Sequence, residues 1–291
     1  MILIANSGST RCDWRILNGD QVAESFITVG FNPYFHHEGV ISNTLQQHYQ
    51  IIDHADSIEY LFFYGAGCSD KKYRILIERA LQAVFKKAKI YVDHDLTAAA
   101  FSTYENRLSI TCILGTGSNS CSFDGDIVRE QVPALDFILG DEGSASHFGK
   151  RLLRDYLYDL LPEELSLELF EKYRLSKDEI IENVYRKPYP NVYLASFMPF
   201  IIEKSKDEYL SPIIREGLKE FLEIHVCSFP DYSDVKTHFI GSVSHAFQDE
   251  LKSLSSELNI DMGKVIQYPI DNLVDYHIKY HYPKLAKLNN K

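Results

Sequence analysis

MILIA, residues 1–5, is a short unbroken apolar run, the pattern of a strand buried on both faces. It breaks at Ser7-Gly8-Ser9-Thr10 and is followed by CDWRIL (12–17) and QVAESFITV (21–29). Between these two runs stands Asn18-Gly19, the dipeptide best suited to a tight hairpin turn. YLFFYG (60–65) and KIYVD (89–93) are predicted as further strands, and residues 71–89 between them place Ile77, Leu81, Val84, Phe85 and Ala88 on one helical face. The second half starts again. SITCILG (109–115) reads as a strand, and NSCSF (119–123) and DIVRE (126–130) pair across Asp124-Gly125. Helices are predicted over 144–161, with Leu153, Leu157 and Leu160 on one face, and over 212–228, opened by Ser211 as N-cap and Pro212 at the first helical position. THFIG (237–241) is a strand entering a helix whose stripe is Phe247, Leu251, Leu254 and Leu258. KVIQYP is a late strand, and a final helix covers 271–281. The alternation predicts an α/β architecture, and recurrence over so long a period predicts two similar domains.

The two interruptions match. Gly8-Ser9-Thr10-Arg11-Cys12 and Gly117-Ser118-Asn119-Ser120-Cys121 share three of five residues. Turns between strands are rich in Gly and Ser for purely local reasons. Such turns can also aim backbone N–H groups at one point and form a nest for phosphate oxygens, with hydroxyls as further donors. Neither turn is a Walker loop, and a hairpin follows each where a dinucleotide fingerprint would need a helix. The expectation is that the two turns face each other and hold a nucleotide's phosphates between them.

Composition narrows the classes. A chain of 291 residues, 45% hydrophobic, can bury a large core. A net charge of −11 argues against a general nucleic-acid surface and against anionic lipid. No apolar run approaches the ~18 residues of a membrane span, and the N-terminal run lacks the basic leader of a secretory signal. Five cysteines, Cys12, Cys68, Cys112, Cys121 and Cys227, form no CxxC pair, so reduced thiols and a cytoplasmic location are expected. His36-His37 and Asp93-His94-Asp95 lack the spacing of a transition-metal site.

Seven segments together resemble a known family: NSGSTR (6–11), GFNP (30–33), YGAGC (64–68), DLTAAA (95–100), LGTGSNS (114–120), LGDEGS (139–144) and FIGSVSHAF (239–247). In order and spacing they resemble the N-acetylglucosamine kinases of the actin-like ATPase superfamily, in the BadF/BadG/BcrA/BcrD group named for benzoyl-CoA reductase ATPase subunits. The resemblance covers nearly the whole chain. It implies two actin-like (ribonuclease H-like) α/β domains, residues 1–101 with a C-terminal helix 271–291 and residues 102–270, with ATP in the cleft between them. By the same resemblance Ser7, Gly8, Ser9 and Thr10 form the first phosphate loop, and Gly115, Thr116, Gly117 and Ser118 the second. Gly241 and Ser242 lie near the adenosine, and Asn32, Thr116, Asn119 and Asp141 meet the sugar. Asp95 is the catalytic base, ATP and Mg²⁺ are required, and homodimers are common in the family.

Each role has a plainer rival. Asp95 sits where an acidic N-cap is favoured, and Asp93, two residues before it, is a competing base. Asp141 and Glu142 suit the positive end of a helix dipole, with Ser144 as its cap. Glu142 is also a candidate for ordering Mg²⁺ through water. Three departures from the family pattern stand out: Asn6 for an Asp that helps to hold hydrated Mg²⁺, Arg11 for a Lys, and Asp136 for a Gly before LGDEGS. Asn6 motivates the first alternative, a degenerate kinase that senses nucleotide or sugar with little turnover. The second is an activating ATPase of a reductase or dehydratase.

Overall fold

A computed structural model describes residues 1–283. The chain divides into two compact units, one formed by Met1–Glu105 together with the chain from Tyr268 onward, the other by Asn106–Gln267. Residues 284–291 of the expected C-terminal helix lie outside the described residues.

The first unit is built on a five-stranded sheet of order β3-β2-β1-β4-β5, with β1 Ile2–Ser7, β2 Arg11–Asn18, β3 Gln21–Val29, β4 Tyr60–Gly65 and β5 Lys89–His94. β1 runs antiparallel to β2 and parallel to β4, and β3 extends the β1–β2 hairpin across Asn18-Gly19. The apolar run of β1 is buried on both sides, as its pattern predicts. Leu3 and Ala5 join one core cluster with Trp14, Phe63 and Phe85, while Ile4 joins another with Phe62, Tyr64, Leu273 and Val274. The helix Ile270–Tyr276 supplies the last two residues, so this helix covers the second face of the first sheet.

The second unit repeats this topology. β6 Ser109–Leu114, β7 Ser118–Phe123, β8 Val128–Arg129, β9 Lys236–Ile240 and β10 Asp261–Ile266 form a sheet of order β10-β9-β6-β7-β8. Here too the first strand is antiparallel to the second and parallel to the fourth. Between β8 and β9 lies a large helical insertion whose buried residues, among them Phe148, Phe197, Phe200 and Phe221, build the main core of the unit.

Several elements differ from the sequence expectation. The helix expected over 71–89 is Lys71–Gln82; Val84, Phe85 and Ala88 are buried beyond its end. The helix over 144–161 is Ala145–Leu157, capped by Ser144, and Leu160 is exposed past its terminus. Ser211 is not an N-cap: the helix spans Leu210–His225, and the Asp207 carboxylate receives the amides of Tyr209 and Leu210 at its start. The stripe from Phe247 to Leu258 is divided between Ser242–Ala246 and Gln248–Glu257, with Phe247 at the junction. The late strand ends at Ile266, and the final helix turns into a π-helical segment, His277–His281. Glu163–Tyr173, Lys177–Tyr185, Pro190–Ala195 and Met198–Glu203 are helices the apolar pattern did not single out.

Candidate functional site

In the first unit the turn after β1 is held from inside. Ser7 is fully buried; its Oγ accepts the Phe31 amide at 2.8 Å and faces the Gly8 carbonyl at 3.3 Å. The Gly8 amide closes on the Arg11 carbonyl at 2.9 Å. A methyl group on Gly30 would lie 2.1 Å from the Gly8 carbonyl oxygen, so only glycine allows this approach. Asn32 is also buried. Its Nδ2 donates to Ser9 Oγ at 3.3 Å and its Oδ1 accepts the Tyr34 amide at 3.0 Å. With these ties made, the amides of Ser9 and Thr10 meet no acceptor among the described residues.

Asp95 opens the helix Asp95–Thr103 as its first residue, and the cap position is His94. The plainer reading of Asp95 as an N-cap is therefore corrected. Its Oδ1 lies 3.0 Å from His94 Nε2. The competing Asp93 is otherwise engaged: its Oδ1 accepts the His94 amide at 2.8 Å and lies 3.5 Å from Arg74 Nη1. Burial, and next the charge of Asp95, push the nearby Cys68 thiol up to about 12.

In the second unit the turn between β6 and β7 docks on the start of a helix. Ala145 and Ser146 donate their amides to the carbonyls of Gly115 and Thr116 at 2.9 and 3.1 Å. Asp141 Oδ1 accepts the Ser118 amide at 3.0 Å, and Ser118 Oγ donates to the Glu142 carbonyl at 2.7 Å. The Asp141 carboxylate packs on Gly117, where a Cβ would come within 2.8 Å of it. Burial pushes the Asp141 carboxyl up to about 6; the Ser118 amide opposes this, and Asp136 and Glu142 add to it. Asp136 and Asp141 both take positive φ, 57° each, a region in which Asp is tolerated better than most residues. Gly241, with φ 121°, brings its backbone so near the Leu114 carbonyl that a Cβ would sit 2.3 Å away. Once more two turn amides, of Thr116 and Gly117, have no acceptor among the described residues.

No family model matches the chain, and no curated protein matches it. Among solved structures, one from Porphyromonas gingivalis described as a "putative N-acetylglucosamine kinase" is 35% identical, with a TM-score of 0.89 over 97% of this chain and 100% of that one. The chain belongs to that sugar-kinase family. A second protein so described, from Chromobacterium violaceum, shares 12% identity and a TM-score of 0.70 over 94% of this chain and 98% of its own. A glucokinase of the ROK family from Streptomyces griseus, solved with glucose and AMPPNP, gives 14% identity and a TM-score of 0.51 over 94% and 98%. These two share the fold. The two α/β units with their five-stranded sheets are the actin-like two-domain architecture of sugar kinases.

Within this sugar-kinase fold the sequence-predicted residues divide by how they are spent. The Ser7 hydroxyl is buried against the Phe31 amide and supports the turn from inside. Both donors of Ser118 are committed, the amide to Asp141 and the hydroxyl to Glu142. Asn119 Oδ1 accepts the Ser120 amide at 2.8 Å, and its Nδ2 lies 3.4 Å from Glu130 Oε2. Glu142 Oε2 lies 3.1 Å from His225 Nε2. Asp13 was missed altogether. It stands opposite Asn6 in the hairpin and takes a bidentate contact from Arg11, whose guanidinium lies 4.5 Å from the Tyr268 ring centroid. The signal is an acidic residue between Cys12 and Trp14, two buried apolar neighbours in the strand CDWRIL.

Proposed function

We propose that the chain is an ATP-dependent kinase of N-acetylglucosamine or a related amino sugar, acting at the 6-hydroxyl. The observation that carries this reading is the pair of matched turns. Each follows the first strand of a repeated sheet, and each keeps two consecutive amides without an acceptor among the described residues. Unspent amides at a glycine turn are what phosphate oxygens recognise. In this reading the amides of Ser9 and Thr10, and those of Thr116 and Gly117, are each a phosphate-binding turn, and the nucleotide arrives as MgATP in the cytoplasm. Gly8 and Gly115 give the backbone close approach. The Gly241-Ser242 turn receives the adenosine, Asp141 accepts hydrogen bonds from the sugar, and Asn32, Thr116 and Asn119 are the further sugar-binding residues of this reading. Asp95 takes the proton of the attacking hydroxyl. The phosphoryl transition state is loose, so orientation and charge stabilisation supply most of the rate. The test is ADP release against N-acetylglucosamine, N-acetylmannosamine, N-acetylmuramic acid, glucose and glucosamine, with and without Mg²⁺. Sugar-dependent release led by an N-acetylated sugar supports the reading; release that no sugar stimulates ends it.

One observation favours a second reading. Asn6 supplies no charge for Mg²⁺, and the carboxylate opposite it, Asp13, is neutralised by Arg11. A sensor that binds nucleotide and sugar with little turnover would tolerate that arrangement. An activating ATPase sharing an iron–sulfur cluster between subunits would need a set of surface cysteines, whereas Cys12, Cys68, Cys112 and Cys121 are buried and Cys227 alone is partly exposed.

A further inference from the structure

His225 is the last residue of the helix Leu210–His225, and it is 4% exposed. It makes two contacts toward the second turn. Its backbone carbonyl, which a helix C-terminus leaves without an intrahelical partner, accepts Ser120 Oγ at 2.7 Å. Its ring stacks on Phe221, with centroids 4.9 Å apart, and puts Nε2 3.1 Å from Glu142 Oε2. The other ring nitrogen, Nδ1, is buried and meets no hydrogen-bond partner among the described residues. A proton on Nδ1 would be a buried donor without an acceptor, which costs more than a lone pair left there. The proton therefore sits on Nε2 and is donated to Glu142.

These contacts close a circuit. Ser118 donates its hydroxyl to the Glu142 carbonyl and its amide to Asp141; Ser120, two residues along the same strand, ties to His225; and His225 returns to the Glu142 side chain. Asp141 is held in a left-handed backbone conformation beside it. We propose that His225 is a positioning residue of the sugar site: its Nε2–H anchors Glu142 and thereby fixes the Asp141-Glu142 segment against the second turn. The inference rests on the reading of Asp141 as a sugar contact. A carboxylate that receives sugar hydroxyls must be held in place before the sugar arrives, and an anchor on its neighbour does this from the buried side.

The experiment uses the full chain. Nitrogen-15 spectra of the histidine rings report which nitrogen carries the proton, with the His225 signal assigned by its loss in His225→Gln. The Nε2–H form is expected, with a shift that moves in Glu142→Gln; an Nδ1–H ring overturns the inference. In kinetics, His225→Phe keeps the flat ring and removes the donor. It is expected to lower kcat/KM for the sugar ~10-fold by misplacing a positioned group, with KM for ATP unchanged. His225→Gln, which retains a donor at the same reach, restores most of that loss. His225→Phe combined with Glu142→Gln is expected to be no worse than Glu142→Gln alone. Wild-type kinetics in His225→Phe, an equal loss for ATP, or losses that multiply in the double variant overturn it. If the wild-type chain phosphorylates no sugar, the sugar-kinase reading fails, and the ring spectra still decide the His225–Glu142 pairing.

Discussion

Asp13 stands directly opposite Asn6 across the β1–β2 hairpin, and its carboxylate is gripped through both oxygens by Arg11. Residues opposite one another in an antiparallel pair share a face, so any group that Asn6 meets is also within the field of Asp13. Restoring a carboxylate by Asn6→Asp adds a ligand of the kind Mg²⁺ prefers. It also places two like charges side by side, at a cost of about 0.2–1 kcal/mol in stability. The expected result is a gain in MgATP turnover on the order of tenfold, equivalent to about 1.4 kcal/mol in the barrier, with a slightly lower melting temperature. Initial rates titrated with Mg²⁺ check this; an unchanged rate would remove Asn6 as the cause of any low turnover.

Asp141 links stability to pH in the opposite sense from an ordinary paired carboxylate. Burial raises its folded value to about 6, above that of the unfolded chain. Between the ordinary carboxylate value and about 6 the folded state holds the extra proton. Its contribution is fully present below that window and is lost as pH rises through it. Asp141→Asn removes this loss, and Asn accepts the same positive φ. The variant is expected to be more stable than the wild type at pH 8, by up to about 2–3 kcal/mol, and to show little advantage at pH 4. It is expected to lose sugar turnover at every pH. Chemical denaturation at the two pH values, with sugar kinetics alongside, checks both halves.

Why some of this was legible in the sequence and some was not follows from range. β1 could be read because an apolar run and a hairpin dipeptide are local signals, and the same pair of signals recurs at β6–β7. Asp136 could be singled out, yet its left-handed backbone could not, since nothing local distinguishes it from any other exposed acid. The short helices between 163 and 203 bury only a few residues each, too few to show a periodic stripe. Ser7 looked like any other turn hydroxyl. Its partner, the Phe31 amide, is twenty-four residues away and is supplied by the segment that follows β3. The His225–Glu142 pair spans eighty-three residues and leaves no local trace at all.

Two glycines at the turns should respond differently to one added carbon. A Cβ on Gly30 would meet the Gly8 carbonyl at 2.1 Å and the Arg11 amide at 2.8 Å, both backbone atoms that cannot step aside alone. Gly30→Ala is therefore expected to cost about 1–3 kcal/mol, as overpacking does, and to weaken nucleotide binding by displacing the first turn. A Cβ on Gly115 meets nothing within 4 Å. Gly115→Ala should fold with stability within about 0.5 kcal/mol of wild type, so any loss of ATP affinity it shows comes from the ligand's approach and not from the fold. Thermal denaturation with ATP titration of both variants checks the contrast; a destabilised Gly115→Ala would contradict it.

Asp95 offers the sharpest separation between chemistry and binding. It is the first residue of its helix and lies 3.0 Å from His94, with the rival Asp93 bound to the His94 amide and facing Arg74. If Asp95 is the base proposed above, it acts on the hydroxyl proton during transfer, and its substitution leaves the other proposed sugar contacts intact. Asp95→Asn keeps the size and one oxygen acceptor but cannot take the proton. It is expected to lower kcat by about 10²–10⁴-fold, with sugar affinity measured by calorimetry within a few-fold of wild type. Asp93→Asn, by contrast, should change kcat only modestly, because its carboxylate serves the local backbone. If the two variants exchange these outcomes, Asp93 is the base and the roles along this strand end must be reversed.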